Sequence, residues 1–356
     1  MRVFFDVQHL YYLPQFLPVQ AELARRGVET LFLFHEALDD AEALAAVLAS
    51  QSLPHRVVDS KRSAIRIYQQ ERPDWIIFGN GCDYLASLPE ETRTALIYHG
   101  IGVKECYYDA ELMEMDIRFV EGEHRYRELK GRYPEAHMLD VGFAKLDPLL
   151  GTDYPGMDLA RVGLDPGRKT ILYAPTFYPS SIELQPADLP QQLSDCNLLI
   201  KPHHFTFTKR RYSHQLEKLQ GWASNDNVWL AGLGDVSLLP MMGAADLLLS
   251  EASSALFEFA ALDKPIVWCD FYWRRWSHRG PLRKRLDRRL DPTIHRYRDI
   301  ARHAATPDEV VPAIRAELAD TAGFEGKRRD YTNALIGPTD GKTARRIADA
   351  LENAAT

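Results

Sequence analysis

A histidine, two glycines and a lysine follow one of the short apolar runs of this chain. His99 comes directly after the run from Ala95 to Tyr98, and Gly100, Gly102 and Lys104 come next. A histidine at the carboxyl end of a strand can face a cleft and take up a proton near neutral pH. The glycines let backbone N–H groups approach an anion, and the lysine adds a positive charge. We interpret His99 as a candidate catalytic base and Lys104 as a candidate phosphate ligand. The alternative is a capped turn with a hydrogen-bonded histidine.

A second cationic group stands at the end of the run from Asn197 to Lys201. Lys201 is followed by Pro202, His203 and His204. A lysine with two histidines suits a phosphate group, whereas two adjacent histidines without further partners are poor ligands for one metal ion. We therefore predict that Lys201, His203 and His204 contact a phosphate, with His203 also a candidate catalytic residue. The alternative is a polar strand exit with solvated side chains.

The third group combines a buried strand, small hydroxyl residues and the start of a helix. Ser253 and Ser254 follow the run from Leu247 to Ser250, and the segment from Ala255 to Leu262 has a helical composition. Backbone N–H groups at a helix start bind phosphate readily. We predict that the two serines help to hold a phosphate or pyrophosphate, and that Glu258, one turn later, reaches a ribose. The alternative is that the serines only cap the helix.

A threonine stands in the turn after another apolar run. Thr176 follows Pro175 and the run from Thr170 to Ala174, so the turn would place its hydroxyl at the same edge of a sheet as the other candidates. We predict that Thr176 helps to seat a bound nucleotide.

A basic run lies between residues 274 and 289, where Asp287 is the one acidic residue. The run includes Arg274, Arg275 and Arg279, and Trp273 precedes it. In a chain of net charge −7, such a run indicates an anionic partner, either a phosphate polymer or an acidic lipid surface. The alternative is a solvated helix face.

Two series of apolar runs, separated by helical patterns, must position these groups. Continuous apolar runs joined by helices are typical of buried parallel strands. The first series comprises the runs 3–7, 30–34, 56–58, 75–78, 95–98, 117–120 and 137–141, and the second the runs 170–174, 197–201, 227–230, 247–250 and 265–269. We predict an α/β protein of GT-B type, with two doubly wound, Rossmann-like parallel-sheet domains that face a cleft. The predicted boundaries are residues 1–150, residues 151–340 and a terminal helix, residues 341–356, that packs back on the first domain.

Composition narrows the class of protein. Hydrophobic content of 46% and charged content of 26% are ordinary for a globular protein, and the negative net charge argues against a nucleic-acid partner. The four cysteines have no metal-binding spacing, and we expect reduced thiols. No signal peptide or membrane-spanning run is visible, so we expect a cytoplasmic protein. No cofactor motif, Asp-x-Asp or phosphate-binding P-loop is present, and a divalent metal would act through the pyrophosphate itself.

Taken in order, these segments resemble those of the CDP-glycerol glycerophosphotransferase family, which includes teichoic acid primases, polymerases and related capsule enzymes. The segments that carry the resemblance are His99 to Lys104, Tyr173 to Thr176, Lys201 to His204, Glu251 to Ser254 with Glu258 and Lys264-Pro265, and Asp340 to Arg346. The chain departs from the family pattern at Glu251-Ala252, where the family has Asp-Tyr, and at His204, where it has Pro.

The resemblance implies transfer of a polyol phosphate from a CDP-linked donor to an acceptor hydroxyl, with release of CMP. The first candidate for the polyol phosphate is glycerol phosphate. His99 would accept the proton of that hydroxyl, and Lys201, His203, Ser253 and Ser254 would hold the pyrophosphate. The acceptor would be an anionic polymer or a lipid-linked chain, reached by peripheral contact with the inner face of the cell membrane. Two alternatives are a GT-B glycosyltransferase that uses a nucleotide sugar and a non-catalytic protein that binds an anionic polymer.

Overall fold

The computed structural model describes residues 1–36, 41–50, 52–101, 105–151, 154, 156–273 and 292–355. Within them the chain forms two parallel sheets covered by helices. The first sheet and the helices packed on it are called the first half below, and the second sheet with its helices the second half.

The first sheet has seven strands in the order β3-β2-β1-β4-β5-β6-β7. Its strands are β1 (Arg2–Val7), β2 (Glu29–His35), β3 (His55–Val58), β4 (Trp75–Phe78), β5 (Arg93–Ile97), β6 (Ile117–Val120) and β7 (Met138–Asp140). The chain moves outward from β1 to β3 and then restarts on the other side of β1 with β4. This reversal opens a crevice beyond the carboxyl ends of β1 and β4, where ligands bind in sheets of this type.

The second sheet has six strands in the order β10-β9-β8-β11-β12-β13. Its strands are β8 (Thr170–Tyr173), β9 (Asn197–Ile200), β10 (Val228–Leu230), β11 (Leu247–Ser250), β12 (Ile266–Cys269) and β13 (Arg302–Ala304). The reversal here lies between β8 and β11. The two sheets therefore follow the same doubly wound plan.

Helices connect the strands and cover both faces of each sheet. The α-helices are α1 (Leu13–Arg25), α2 (Ala41–Ser50), α3 (Lys61–Glu71), α4 (Glu123–Arg132), α5 (Asp147–Leu150), α6 (Leu189–Gln192), α7 (His204–Thr208), α8 (Ser213–Trp222), α9 (Leu239–Ala244), α10 (Ser254–Ala260), α11 (Val310–Ala319), α12 (Glu325–Leu335) and α13 (Thr343–Ala355). Short 3-10 helices span Leu10–Tyr12, Leu85–Ser87, Glu105–Tyr108, Ala110–Met113, Ala144–Leu146, Ala160–Val162, Arg210–Tyr212, Pro292–Ile300 and Pro307–Glu309. Among the helices described, none has the length and apolar character needed to cross a membrane.

The central strands are buried on both faces, which explains their continuous apolar composition. In β8, Ile171 packs in one core and its neighbour Leu172 in the core on the other face. Leu247 and Leu248 of β11 divide between the same two cores. Removal of both faces of a strand from water favours apolar residues at every position rather than at alternate ones.

The structure confirms every predicted strand to within one or two residues at each end, and adds β13, which the sequence did not predict. Strand β13 reads Arg302-His303-Ala304 and pairs with β12 at the edge of the sheet. A polar strand of three residues at an edge buries little apolar area, so no apolar run marks it.

The last helix described, α13, returns to the first half. Ile347, Ala348 and Leu351 lie fully buried in the core that also holds Trp75. The Trp75 indole Nε1–H donates to the carbonyl of Leu351 at 3.2 Å. The chain therefore passes from the first half to the second and back again.

Asp147 fixes the start of that helix. Its carboxylate accepts hydrogen bonds from the N–H of Thr343 at 3.1 Å and of Ala344 at 2.6 Å. Burial raises the pKa of Asp147, while these backbone donors oppose the rise. The carboxylate supplies acceptors for two N–H groups that have no partner inside the helix.

We expect Asp147→Ala to lower the free energy of unfolding by about 1–3 kcal/mol, because two buried N–H groups lose a charged acceptor. Urea unfolding followed by tryptophan fluorescence measures the effect. Asp195→Ala is the control, since Asp195 lies in an exposed ion pair with Arg315 and its loss should cost less than about 1 kcal/mol. Equal losses for the two variants would contradict a structural role for Asp147.

Candidate active site

The ion pair between Lys145 and Glu258 shows that the two halves face each other at the carboxyl edges of their sheets. Lys145 lies in the segment after β7, and Glu258 lies on α10, after β11. Lys145 Nζ is 2.6 Å from Glu258 Oε2, and the two side chains are 15% and 2% exposed. The space between these two edges is called the cleft below.

His99 is held in one tautomer by the backbone. Its Nδ1 lies 2.9 Å from the carbonyl oxygen of Gly79, the residue after β4. A carbonyl only accepts hydrogen bonds, so Nδ1 must carry the proton. In the neutral imidazole, Nε2 then has the lone pair, which is the form that a general base requires.

Three tyrosine rings fix the orientation of the His99 ring. The rings of Tyr12 and Tyr98 stack on it, with centroids at 4.9 and 4.6 Å, and Tyr11 meets it edge-on at 4.9 Å. His9 in turn stacks on Tyr11 at 5.0 Å. Tyr11 is 45% exposed, so this aromatic group also presents a surface to the solvent beside the crevice of the first sheet.

His203 takes the opposite tautomer. It immediately precedes α7, and its Nδ1 accepts a hydrogen bond from the N–H of Phe205 at 3.1 Å. In the neutral ring the proton therefore lies on Nε2, which makes that nitrogen a donor. The ring of Phe177 packs against His203 with centroids 4.5 Å apart. His204 is the first residue of α7.

Lys201 occupies a half-buried position directly after β9. Burial lowers the pKa of its ammonium to about 8. Asp235 opposes this change, and the positive charge of Lys145 adds to it. The two lysines, one from each half, therefore lie within electrostatic reach of each other, as expected of groups that share an anionic ligand.

Glu251 has a structural role in holding the loop after β8. Its buried carboxylate accepts hydrogen bonds from the N–H of Thr176 at 2.9 Å and of Ser181 at 2.5 Å. The Thr176 hydroxyl donates to the carbonyl of Pro179 at 2.5 Å. Burial raises the pKa of Glu251, and these backbone donors oppose the rise. Thr176 is thus held in the loop after β8 by Glu251, a residue at which the sequence departs from the family pattern.

Ser253 directly precedes α10, and Ser254 is the first residue of that helix. Ser253 occupies the capping position, yet its side chain accepts no hydrogen bond from the helix. Its Oγ lies 3.3 Å from Ser250 Oγ, and Ser250 Oγ donates to the carbonyl of Ala174 at 2.6 Å. The interpretation as a simple side-chain cap is therefore wrong. Ser253 and Ser254 are both partly exposed.

Four predicted residues, Lys104, Arg274, Arg275 and Arg279, lie outside the described residues. Within the described ranges, no group of three histidine, cysteine or acidic side chains could hold a metal ion. The three buried cysteines and the exposed Cys106 are thiols rather than disulfide partners.

The sequence missed Tyr11, Tyr12, Gly79 and Lys145. Tyr11 and Tyr12 follow β1, at the reversal of the first sheet, so the rule that located His99 could have found them. No spacing in the sequence marks Lys145, because its partner lies in the other half of the molecule.

Gly79 is closely packed against the tyrosine that stacks on His99. A Cβ atom at Gly79 would lie 2.5 Å from Tyr12 Cδ2, so the ring or the strand end would have to move. We expect Gly79→Ala to lower the free energy of unfolding by about 1–3 kcal/mol, measured by urea unfolding. Gly131→Ala is the control. Gly131 lies in α4, where an added Cβ would meet no atom within 4 Å, and this change should stabilise the protein by up to about 1 kcal/mol. Similar effects of both changes would contradict the packing argument.

Comparison with solved structures shows the fold. The wall teichoic acid polymerase TagF has a TM-score of 0.70 and 13% identity, over 100% of this chain and 88% of that one. UDP-GlcNAc 2-epimerase from Neisseria meningitidis, bound to UDP-GlcNAc, has a TM-score of 0.62 and 13% identity, over 99% and 100%. At this identity the likeness concerns the fold alone, and it confirms the predicted α/β fold of GT-B type.

Sequence comparison identifies the family. The teichoic acid glycerol-phosphate primase of Bacillus spizizenii (strain ATCC 23059 / NRRL B-14472 / W23) is 32% identical over 117 residues, which are 33% of this chain and 29% of that protein. The aligned part thus spans less than a third of the curated relative. The family model for CDP-glycerol:poly(glycerophosphate) glycerophosphotransferase matches residues 109–353, well over half of the chain. This match confirms the resemblance found in the sequence: the chain belongs to the CDP-glycerol:poly(glycerophosphate) glycerophosphotransferase family.

Proposed function

We propose that this protein transfers glycerol phosphate from CDP-glycerol to an acceptor hydroxyl in the synthesis of a teichoic acid or capsule-like polymer, and releases CMP. The observation that carries the proposal is the His99 imidazole, whose Nδ1–H···O=C bond to Gly79 leaves the lone pair on Nε2. Membership of the family and the two lysines at the cleft support it.

In the proposed reaction, the first half accepts the proton and the second half stabilises the negative charge of the leaving group. The acceptor oxygen forms a bond to the β-phosphorus of the donor, and its proton passes to His99 Nε2. The bond between that phosphorus and the bridging oxygen breaks, and CMP leaves with the electron pair. Negative charge grows on the leaving phosphate, where Lys201 and the Nε2–H of His203 supply positive charge and a hydrogen bond. Positioning and charge stabilisation dominate catalysis of phosphoryl transfer.

The remaining site residues serve the donor in this proposal. Ser253, Ser254 and His204 contact the pyrophosphate, with Lys104 as a further ligand from the first half. Thr176 seats the nucleotide, as its fixed place beside Glu251 suggests. Glu258 accepts a hydrogen bond from the ribose. Helix α10 has seven residues, so the serine hydroxyls and the lysines provide more of the attraction than the helix dipole.

The proposed acceptor is anionic or lipid-linked, and the proposed place of reaction is the inner face of the cell membrane. Arg274, Arg275 and Arg279 are the proposed contacts, on the grounds of the sequence. The described part contributes a second basic segment, from Lys209 to Arg211, in which all three side chains are exposed. Lys209 and Arg211 lie over the rings of Phe205 and Tyr212 at 5.6 and 5.1 Å.

Calorimetry with a panel of nucleotides tests the donor. The wild-type protein and Ser253→Ala are titrated with CDP-glycerol, CDP and UDP-sugars. Selective binding of cytidine nucleotides that weakens in the variant supports the proposal. Binding of UDP- or GDP-sugars alone would replace it with a glycosyltransferase. Nucleotide binding without turnover, together with salt-sensitive binding of an anionic polymer, would indicate a non-catalytic protein.

We expect His99→Ala to lower the rate of CMP release from CDP-glycerol by about 10²- to 10⁴-fold, because the acceptor loses its general base. Donor affinity and the unfolding midpoint should stay close to those of the wild type. His55→Ala is a matched control, since His55 Nδ1 also bonds a backbone carbonyl, that of Leu53 at 2.8 Å, but lies at the far side of the sheet. A rate in His99→Ala equal to that of the control would rule out His99 as the base.

The affinity for the donor should depend on the charge of Lys201. Since its pKa is lowered to about 8, the ammonium is charged below that pH and neutral above it. Affinity for CDP-glycerol should therefore be full below about pH 8 and fall by at most about tenfold per pH unit above it. Lys201→Arg stays charged and should not show this fall. A wild-type affinity that is constant across this range would show that Lys201 does not contact the diphosphate.

A further inference from the structure

We infer that Lys145 is a ligand of the donor's diphosphate that the free protein holds in reserve on Glu258. When the nucleotide enters, its ribose hydroxyl takes the place of Lys145 at Glu258, and the released ammonium moves to the diphosphate. This inference rests on the proposed function and adds a residue from the first half to the donor site.

The backbone of Lys145 is fixed while its side chain is long enough to move. The Lys145 N–H donates to Gln15 Oε1 at 2.8 Å, and Gln15 lies buried on α1. The residue therefore has a rigid base on the first half. Its four-carbon stem carries a compact charge with rotatable donors, which suits exchange between two anionic partners.

Glu258 keeps unused capacity to accept a hydrogen bond. Its Oε2 lies 2.6 Å from Lys145 Nζ, but the pair lacks hydrogen-bond geometry, and among the described residues Oε2 has no hydrogen-bond partner. A carboxylate that is only 2% exposed pays a desolvation cost that a charge contact alone repays incompletely. A ribose hydroxyl would supply the missing donor at the place where Lys145 now lies.

Lys145 is also close to the proposed phosphate site. Lys201, after β9, is near enough to be affected by the charge of Lys145. An anion bound between α10 and the end of β9 therefore lies within reach of both lysines. The two lysines, one from each half, would then share the negative charge of one diphosphate.

Separate titrations with cytidine and with CDP-glycerol test the inference, because cytidine has the ribose and lacks the diphosphate. Lys145→Met should weaken the binding of CDP-glycerol by about 10- to 100-fold, the usual value of a hydrogen bond to a charged group. Lys145→Met should bind cytidine at least as tightly as the wild type does, because Glu258 no longer has to release the lysine before it accepts the ribose hydroxyl. Lys145→Arg should retain most of the affinity for CDP-glycerol.

Two further variants separate this role from a structural one. Lys169→Met removes a lysine from an exposed ion pair with Asp246, away from the cleft, and should leave both affinities unchanged. Lys145→Met combined with Glu258→Gln removes the buried charge that Lys145→Met alone leaves unpaired, so it keeps the test valid if the single variant unfolds. The double variant should still bind CDP-glycerol at least about tenfold more weakly than Glu258→Gln alone.

Three outcomes would overturn the inference, and only one of them would also overturn the proposed function. Equal losses for cytidine and CDP-glycerol in Lys145→Met would show that Lys145 only supports α10. Unchanged CDP-glycerol binding would show that it does not reach the diphosphate. In both cases the proposed function stands, whereas a wild-type protein that binds no cytidine nucleotide would remove the proposed function and this inference together.

Discussion

The hydrogen bonds from the N–H groups of Thr343 and Ala344 to the Asp147 carboxylate join the two segments in which the chain crosses between the halves. They connect the start of α13 to the segment that leaves the first sheet, so the outgoing and returning parts of the chain meet at one buried carboxylate. Lys145 lies two residues before this point, and its side chain reaches Glu258 in the second half. The Lys145–Glu258 ion pair therefore lies next to the point at which the outgoing and returning segments of the chain meet.

The two candidate histidines show how hydrogen bonds to the backbone can assign chemistry. Both use Nδ1, but His99 donates to a carbonyl and His203 accepts from an N–H. In the neutral rings, Nε2 of His99 therefore has a lone pair, whereas Nε2 of His203 carries a proton. In the proposed reaction, a base on the first half would accept the proton of the acceptor hydroxyl, and a donor on the second half would stabilise the charge on the leaving group.

The sequence predicted the parts of this molecule that depend on local pattern. Buried strands appear as continuous apolar runs, and His99 and Lys201 were predicted as site residues because they follow such runs. The short, polar edge strand β13 lacked that signal. Contacts between distant segments, such as the ion pair of Lys145 with Glu258, could not be predicted from local patterns. The sequence marks Glu251 as a departure from the family pattern. Its structural role depends on the N–H groups of Thr176 and Ser181, which only the folded chain brings to its carboxylate.

The return of α13 also relates the order of synthesis to the order of folding. Ile347 and Leu351 fill the same core as Phe16 and Trp75. While the chain is still being made, the first half has all of its strands but lacks this helix, and the apolar residues that α13 will cover stay in contact with water. The first half is therefore synthesised before the second half, but its core is completed only after the second half has been made.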